Sequence, residues 1–235
     1  MSKQQSIVSM FDSISGTYDK VNRILSFGID KSWRKKACKK AFELTNKNRY
    51  DILDMACGTG DMIDFWRKSA SKQNKNISSI IGIDPSLGML EIAQKKFPKT
   101  EFKNNNATEF DDKNKDIISI SYGLRNVVQR QAALKHFYNA LNEDGVLVIL
   151  EFMKMDKKSL MSHIRGLYMN KILPFIGGVI SMNFKAYKYL PNSIGDFITT
   201  NELKEELEKA GFKIVFTKGY SGDISTLVIA QKNER

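Results

Sequence analysis

From Asp51 to Phe152 the chain repeats one pattern: a short apolar run, a turn, then an amphipathic stretch. The apolar runs are Asp51–Ala56 (DILDMA), Ser79–Asp84 (SIIGID), Glu101–Asn104, Asp116–Ser121 (DIISIS) and Val146–Phe152 (VLVILEF). Helical periodicity falls between them at 61–71, 86–97 and about 129–141. Strands that alternate with helices pair in parallel through right-handed crossovers, and a run as apolar as VLVIL suits a sheet covered on both faces. A further helix, Thr200 to Ala210, stops at Gly211. It is followed by two runs, Lys213–Lys218 and Ile224–Gln231, close enough to form an antiparallel pair at the sheet edge. The expected fold is therefore α/β: a single domain on a doubly wound, mostly parallel, seven-stranded sheet with an antiparallel edge strand. Two segments stand outside this repeat. Residues 1–45 read as two helices, 5–26 and 31–45, broken at Phe27-Gly28, and form an expected N-terminal cover. Residues 155–198 read as a helical insertion or lid, with Pro174, Gly177, Gly178 and Pro191 as breaks.

Composition narrows the setting. At 235 residues the chain can bury a core without disulfides, and its two cysteines, Cys38 and Cys57, lack metal-ligand spacing. No metal is expected, and a reducing, cytoplasmic location is. Met1 to Met10 is polar and mixed, without the apolar centre of a signal peptide. The longest apolar run, Ile172 to Met182, is far short of the ~20 residues that cross a bilayer. Net charge is +11, and residues 31–40 alone carry six cations. Such a surface attracts nucleic acid, anionic lipid or acidic partners, or is simply solvated lysine.

The chemistry concentrates in Asp54-Met-Ala-Cys-Gly-Thr-Gly-Asp61, which ends the first strand and opens a helix. In doubly wound sheets ligands bind beyond the strand C-termini, and Gly58 and Gly60 let backbone approach one closely. A pyrophosphate site wants G-x-G-x-x-G, but the third position here is Ile63, and a Walker A loop lacks its Gly-Lys-Ser/Thr. Acids flank the turn instead. Asp54 and Asp61 repel a pyrophosphate but tolerate a cationic sulfonium and ammonium. A turn with glycines only for geometry is the alternative. Asp84 ends the second strand, where an acid can accept from both ribose hydroxyls; Asp84-Pro85-Ser86 can also cap the next helix. Asn106-Ala107 follows the third strand, beside a possible adenine edge, and Ser121 ends the fourth, facing the reactive end of a cofactor. After it comes Gly123-Leu-Arg125-Asn126. Arg125 can stabilise an oxyanion or pair with Glu151; Asn126 can orient a hydroxyl or water. Tyr18 and Asp19 can close over a ring from the N-terminal cover, or Tyr18 can simply pack. His136 and His163 read as helix-surface residues and Cys57 as a small buried one. Base-methylating enzymes often carry Asn/Asp-Pro-Pro-Tyr/Phe after the fourth strand. Ser121-Tyr-Gly-Leu-Arg there argues against a nucleic-acid amino group as substrate.

Together DILDMACGTGD, GIDPSLGMLEIA, SYGLRN, VILEF, the N-terminal MFDSISGTYDKVNRILSFGIDKSWRK and the late YLPNSI resemble the ubiquinone/menaquinone C-methyltransferases over nearly the whole chain. The resemblance implies a Rossmann-like class I methyltransferase fold, S-adenosylmethionine as cofactor with contacts at Thr59, Asp84, Asn106, Ala107 and Ser121, and a polyprenylated quinol as substrate. Benzoquinol and naphthoquinol headgroups both stay open, with demethylmenaquinol favoured. The alternatives are another small aromatic or lipid substrate, or a cofactor fold kept as a scaffold. The expected chemistry is C-methylation beside a phenolic hydroxyl. A phenol titrates near 10, so ionising it at neutral pH costs roughly 4 kcal/mol, which a nearby cation offsets. The basic N-terminal helices imply peripheral contact with an anionic membrane. Residues 160–182 are an expected wall of the prenyl channel.

Overall fold

The computed structural model describes residues 1–154, 166 and 171–232. Two helices open the chain, α1 (Lys3–Leu25) and α2 (Ile29–Thr45). A capping box at Ser2 and Gln5 starts α1. The alternating region is β1 (Arg49–Met55), α3 (Asp61–Lys72), β2 (Asn76–Ile83), α4 (Leu87–Lys96), β3 (Glu101–Lys103), β4 (Lys115–Ser121), a short 3-10 turn (Leu124–Asn126), α5 (Arg130–Ala140) and β5 (Leu141–Glu151). Then come α6 (Leu173–Ser181), α7 (Phe184–Gly195), α8 (Thr200–Lys209), β6 (Phe212–Tyr220) and β7 (Ser225–Lys232).

All seven strands form one sheet in the order β3-β2-β1-β4-β5-β7-β6. The first five are parallel; β7 runs antiparallel to both neighbours, slotted between β5 and β6. The expected antiparallel pair therefore closes the edge, and β6 is its outermost strand. Strand β5 starts earlier than the VLVIL run. Leu141 pairs with Lys115, the register then shifts, and Val146 pairs with Ile117. Residues 142–145 bulge out between those pairings, so the Asn-Glu-Asp-Gly stretch bends the strand without ending it.

Both faces of the sheet are buried, as the unbroken apolar runs require. One face holds Leu53, Ile118, Leu134, Phe137 and Leu203; the other holds Phe42, Tyr50, Ile52, Ile63 and Trp66. Each such side chain contributes roughly 1.5–3 kcal/mol on burial. The second face is covered partly by α2, whose buried stripe is Asp30, Trp33, Arg34, Ala37, Cys38, Ala41 and Phe42. Helix α1 packs on α4 and α6 and shares an apolar cluster with α7 through Ile14, Val21, Ala186 and Ile194.

The helical region after β5 departs from the expected breaks. Gly177 and Gly178 lie inside α6 and Pro191 inside α7; the chain turns at Met182, in the left-handed region at φ 57°. Pro174 sits in the first turn of α6, where its missing N–H costs little. The two glycines serve packing. A Cβ on Gly177 would lie 2.3 Å from the ring of Tyr187, and one on Gly178 2.3 Å from Phe184. Residues 155–165 and 167–170, with His163 and part of the expected prenyl wall, lie outside the described residues. Among the described residues no helix is long and apolar enough to cross a membrane.

Candidate active site

Strand order reverses between β1 and β4, and loops from both C-terminal ends diverge there to leave a crevice. The β1 turn is tied down by Cys57 N–H, which donates to Ile83 O at 3.0 Å, and Gly60 N–H, which donates to Cys57 O at 2.9 Å. Gly58 and Gly60 take φ of 55° and 85°, conformations that L side chains rarely adopt. Gly58 N–H then points at Asp84, donating to Oδ2 at 2.8 Å, while Ser86 N–H donates to Oδ1 at 2.8 Å. Ser86 also caps α4 through Met89 N–H. Despite these two donors, burial dominates and pushes the Asp84 carboxyl up to about 6.

Asp54 lies one layer deeper. Its Oδ1 accepts from Ser119 Oγ at 2.6 Å, and that hydroxyl accepts from Trp66 Nε1 at 3.0 Å. Its Oδ2 has no partner among the described residues. Burial, reinforced by Asp84 and Asp61 and opposed by Ser119 and Arg34, lifts the Asp54 carboxyl to about 7. An orphaned buried acceptor of this kind invites a cationic donor.

Two cavities meet at the crevice. The larger, about 870 Å³, is lined by Gly58, Asp84, Asn106, Ala107 and Ser121 and covered by the first half of α1. Thr59 and Gly60 do not line it. Thr59 is buried and its hydroxyl donates to Asp19 at 2.6 Å; Gly60 is the residue before α3. Asn106 holds Glu109 through its amide at 2.7 Å. The second cavity, about 380 Å³, is walled mainly by apolar side chains such as Ile14, Leu25, Trp33, Phe152 and Leu190. Phe11, Tyr18 and Tyr122 line both, so a polar and an apolar chamber share one partition.

The polar groups of the apolar chamber come from four elements. Arg125 is almost fully buried; Nη1 donates to Glu151 Oε1 and to Tyr122 O, both at 2.6 Å, while Nε has no partner among the described residues. The pairing with Glu151 expected as one of its two roles is therefore present, and Nε–H is left over beside it. Asn126 lines the polar chamber, not the apolar one, and its Oδ1 accepts from Tyr189 Oη at 2.9 Å. The Tyr18 hydroxyl is pushed up by burial, with Arg125 pulling the other way. Asp19 stands apart from this chamber. It accepts from Thr59 and pairs with Lys96, so it joins α1 to the β1 turn and to α4. His136 bonds Phe110 O at 2.6 Å, and Cys57 is buried.

Arg34, Tyr187 and Tyr189 were not singled out by sequence. Arg34 Nη1 donates to Ser121 Oγ at 2.6 Å, and its guanidinium lies 4.9 Å from the Tyr122 ring centre. It reads as one more cation of the Lys31–Lys40 cluster, yet its spacing from Asp30, Ala37 and Ala41 sets it on the apolar stripe of α2. Helical phase was the available signal. Nothing local marks the two tyrosines. Four further contacts fasten α1 over the crevice. Asp12 Oδ1 accepts from Ser86 Oγ at 2.6 Å and from Gly88 N–H at 3.0 Å, and Arg23 pairs with both Asp30 and Asp61.

The fold is found in distant methyltransferase structures. The methyltransferase bound by the Trm112 methyltransferase activator of Haloferax volcanii superposes with a TM-score of 0.66 at 13% identity, over 95% of this chain and 98% of that one. A SAM-dependent methyltransferase of Thermotoga maritima gives 0.61 at 19%, over 97% and 100%. Nearer relatives appear in sequence. "Ubiquinone/menaquinone biosynthesis C-methyltransferase UbiE" of Campylobacter jejuni strain 81-176 is 51% identical over 99% of this chain and 100% of that protein. "Demethylmenaquinone methyltransferase" of Thermotoga maritima is 36% identical over 88% of each. Residues 1–232 match the ubiE/COQ5 methyltransferase family, and the chain belongs to that family.

Proposed function

We propose that this protein transfers a methyl group from S-adenosylmethionine to a ring carbon of a polyprenylated quinol, with demethylmenaquinol the favoured substrate. The observation that carries the reading is the shared partition: a polar chamber with the buried Asp84 carboxyl lies beside an apolar chamber with a guanidinium, and Phe11, Tyr18 and Tyr122 line both. The quinone-pathway names of the relatives support it.

The residues of the polar chamber fit the cofactor. Asp84 would take its ribose hydroxyls and Gly58 the close backbone approach, while Asp54 Oδ2, one layer deeper and without a partner among the described residues, would reach its ammonium group. Asn106 and Ala107 would flank the adenine, and Ser121 the methyl-bearing end. Bound there, the cofactor supplies a methyl already activated on a sulfonium. The protein's task is then alignment and charge. Holding donor and acceptor in line replaces an encounter in water, and alignment alone contributes several kcal/mol. Arg125 Nε–H would stabilise the phenolate oxygen next to the accepting carbon; its Nη1, fixed by Glu151, keeps the guanidinium plane in place. Arg34 adds a second buried positive charge on the same side. Asn126, held by Tyr189, would orient the hydroxyl, and Tyr18 with α1 would close the chamber against water. An oxidised ring has no ionisable hydroxyl, so the reduced quinol is the substrate.

In the same reading, residues 1–45 are a cover and residues 155–198 a lid over one catalytic domain. The protein is cytoplasmic and rests on anionic lipid. Phe27 is 81% exposed at the α1–α2 corner and lines the apolar chamber, and exposed Lys31, Lys35, Lys36 and Lys39 follow it on α2. A membrane-borne quinol would enter there. No nucleic-acid partner is proposed.

The test is incubation with labelled S-adenosylmethionine and, in parallel, demethylmenaquinol and a demethylated ubiquinol precursor, each reduced and oxidised. Label in the reduced naphthoquinol is expected. Label in neither quinol, with cofactor binding intact, overturns the substrate assignment.

A further inference from the structure

Four tyrosines line the apolar chamber: Tyr18, Tyr122, Tyr187 and Tyr189. Two have their hydroxyls in hydrogen bonds: Tyr122 meets Ser225 Oγ at 2.9 Å, and Tyr189 donates to Asn126 at 2.9 Å. Tyr187 is only 4% exposed, yet its hydroxyl has no partner among the described residues. A buried hydroxyl left unmade forfeits its water bonds for nothing, so such a group marks where a ligand completes the set. Arg125, which also lines this chamber, likewise has a fully buried donor, Nε, without a partner among the described residues.

The ring of Tyr187 is locked. It lies so close to Gly177 that any side chain there would collide with it, and it belongs to the apolar cluster of α1, α6 and α7. The same helix, two residues on, carries Tyr189, which holds Asn126. Helix α7 thus holds the Leu124–Asn126 turn through Tyr189 and lines the chamber with Tyr187 as well.

We propose that Tyr187 is a specificity-determining positioning residue. It hydrogen-bonds the second ring oxygen of the substrate, the one not adjacent to the accepting carbon, while Arg125 Nε serves the first. Tyr187 and Arg125 both line the apolar chamber, and two buried unpartnered donors match a ring with two oxygens. A monophenol would leave one donor unsatisfied and be selected against. This rests on the quinol reading above and names how that substrate is told from a simpler phenol.

The experiment is Tyr187→Phe, assayed with prenylated demethylnaphthoquinol and with the analogue lacking the distal hydroxyl. Phenylalanine keeps the ring against Gly177, and calorimetry with S-adenosylmethionine checks that the other chamber is intact. The expected result is a drop of about tenfold in kcat/KM on the quinol, the scale of one buried hydrogen bond, with cofactor affinity unchanged. On the deoxy analogue, wild type and variant should agree within about twofold, because the partner oxygen is gone. Equal activity of the two proteins on the quinol overturns the inference. So does an equal loss on both substrates, which would mark Tyr187 as packing alone. If wild type labels neither substrate while still binding S-adenosylmethionine, the quinol reading itself falls and this inference with it.

Discussion

Cofactor affinity should depend steeply on pH, because two buried acids must be ionised, Asp54 to receive the ammonium group and Asp84 to accept from both ribose hydroxyls. Burial sets Asp54 at about 7 and Asp84 at about 6, against about 4 for an ordinary aspartate. Each such group multiplies the dissociation constant by one plus ten raised to its pKa minus the pH. With those two values, going from about pH 7.5 to about pH 5.5 weakens binding roughly a hundredfold. Asp54 supplies most of this. Asp54→Asn removes its titration and leaves about a fourfold change from Asp84 alone. The assay is calorimetric titration with S-adenosylmethionine at both pH values, in buffers of different ionisation enthalpy so that released protons are counted. Stability of the bare protein should slope the other way. Both carboxyls hold their protons more tightly folded than unfolded, so their contribution is most favourable below about pH 4. It is lost as pH rises towards 7, by up to about 1.4 kcal/mol per pH unit for each group. An affinity flat across this range, or an Asp54→Asn variant that keeps the hundredfold change, would refute the reasoning.

Arg125→Ala strands Glu151, which is fully buried, though Phe152 N–H at 2.8 Å and the N–H of residue 125 itself at 3.2 Å still serve it. Breaking a buried pair costs about 3–5 kcal/mol, and the two retained backbone donors put this case at the low end, a fall of about 6–10 °C in Tm by thermal scan. Arg125→Ala with Glu151→Gln should recover part of that Tm but none of the turnover; recovered turnover would remove Arg125 from catalysis. Vesicles containing anionic lipid should bind the protein at low salt and release it at about 0.5 M salt, with Lys31, Lys35, Lys36 and Lys39 changed to Gln abolishing binding. Failure to cosediment at low salt ends that idea. Asp12→Ala removes the acceptor for Ser86 and Gly88, so amide exchange in the first half of α1 should speed up while β1 and β4 stay protected. Unchanged exchange would show that the contact does not fasten α1.

Local patterns made the framework readable. Apolar runs and glycine turns fix β1, β2 and β4 because each signal lies within a few residues, and the Ser86 cap and Asp84 fall out of the same reading. The helix ends after β5 were harder. Pro174, Gly177 and Gly178 look like breakers in isolation, but they tolerate helix because of position or because rings from α7 need the space. Side-chain destinations were harder still. Asp19 was expected at the ring; its carboxylate instead meets Thr59 and Lys96, contacts separated from it by many residues. Arg34 was hidden in a run of cations, and only the phase of α2 turns it inward. Tyr187 gives no local sign, since its unpartnered state arises from three helices packing together.

The place of β7 has a consequence for how the molecule is made. β6 is synthesised first, yet it reaches the sheet only through β7. Until β7 threads between them, Val146–Leu150 presents an open, wholly apolar rim and β6 has nothing to pair with. Completion is thus a late, non-local event, and such pairings are slow. A nascent chain arrested before Ser225 would carry a finished cofactor turn on a sticky half-sheet, a natural target for chaperones and a template for aggregation.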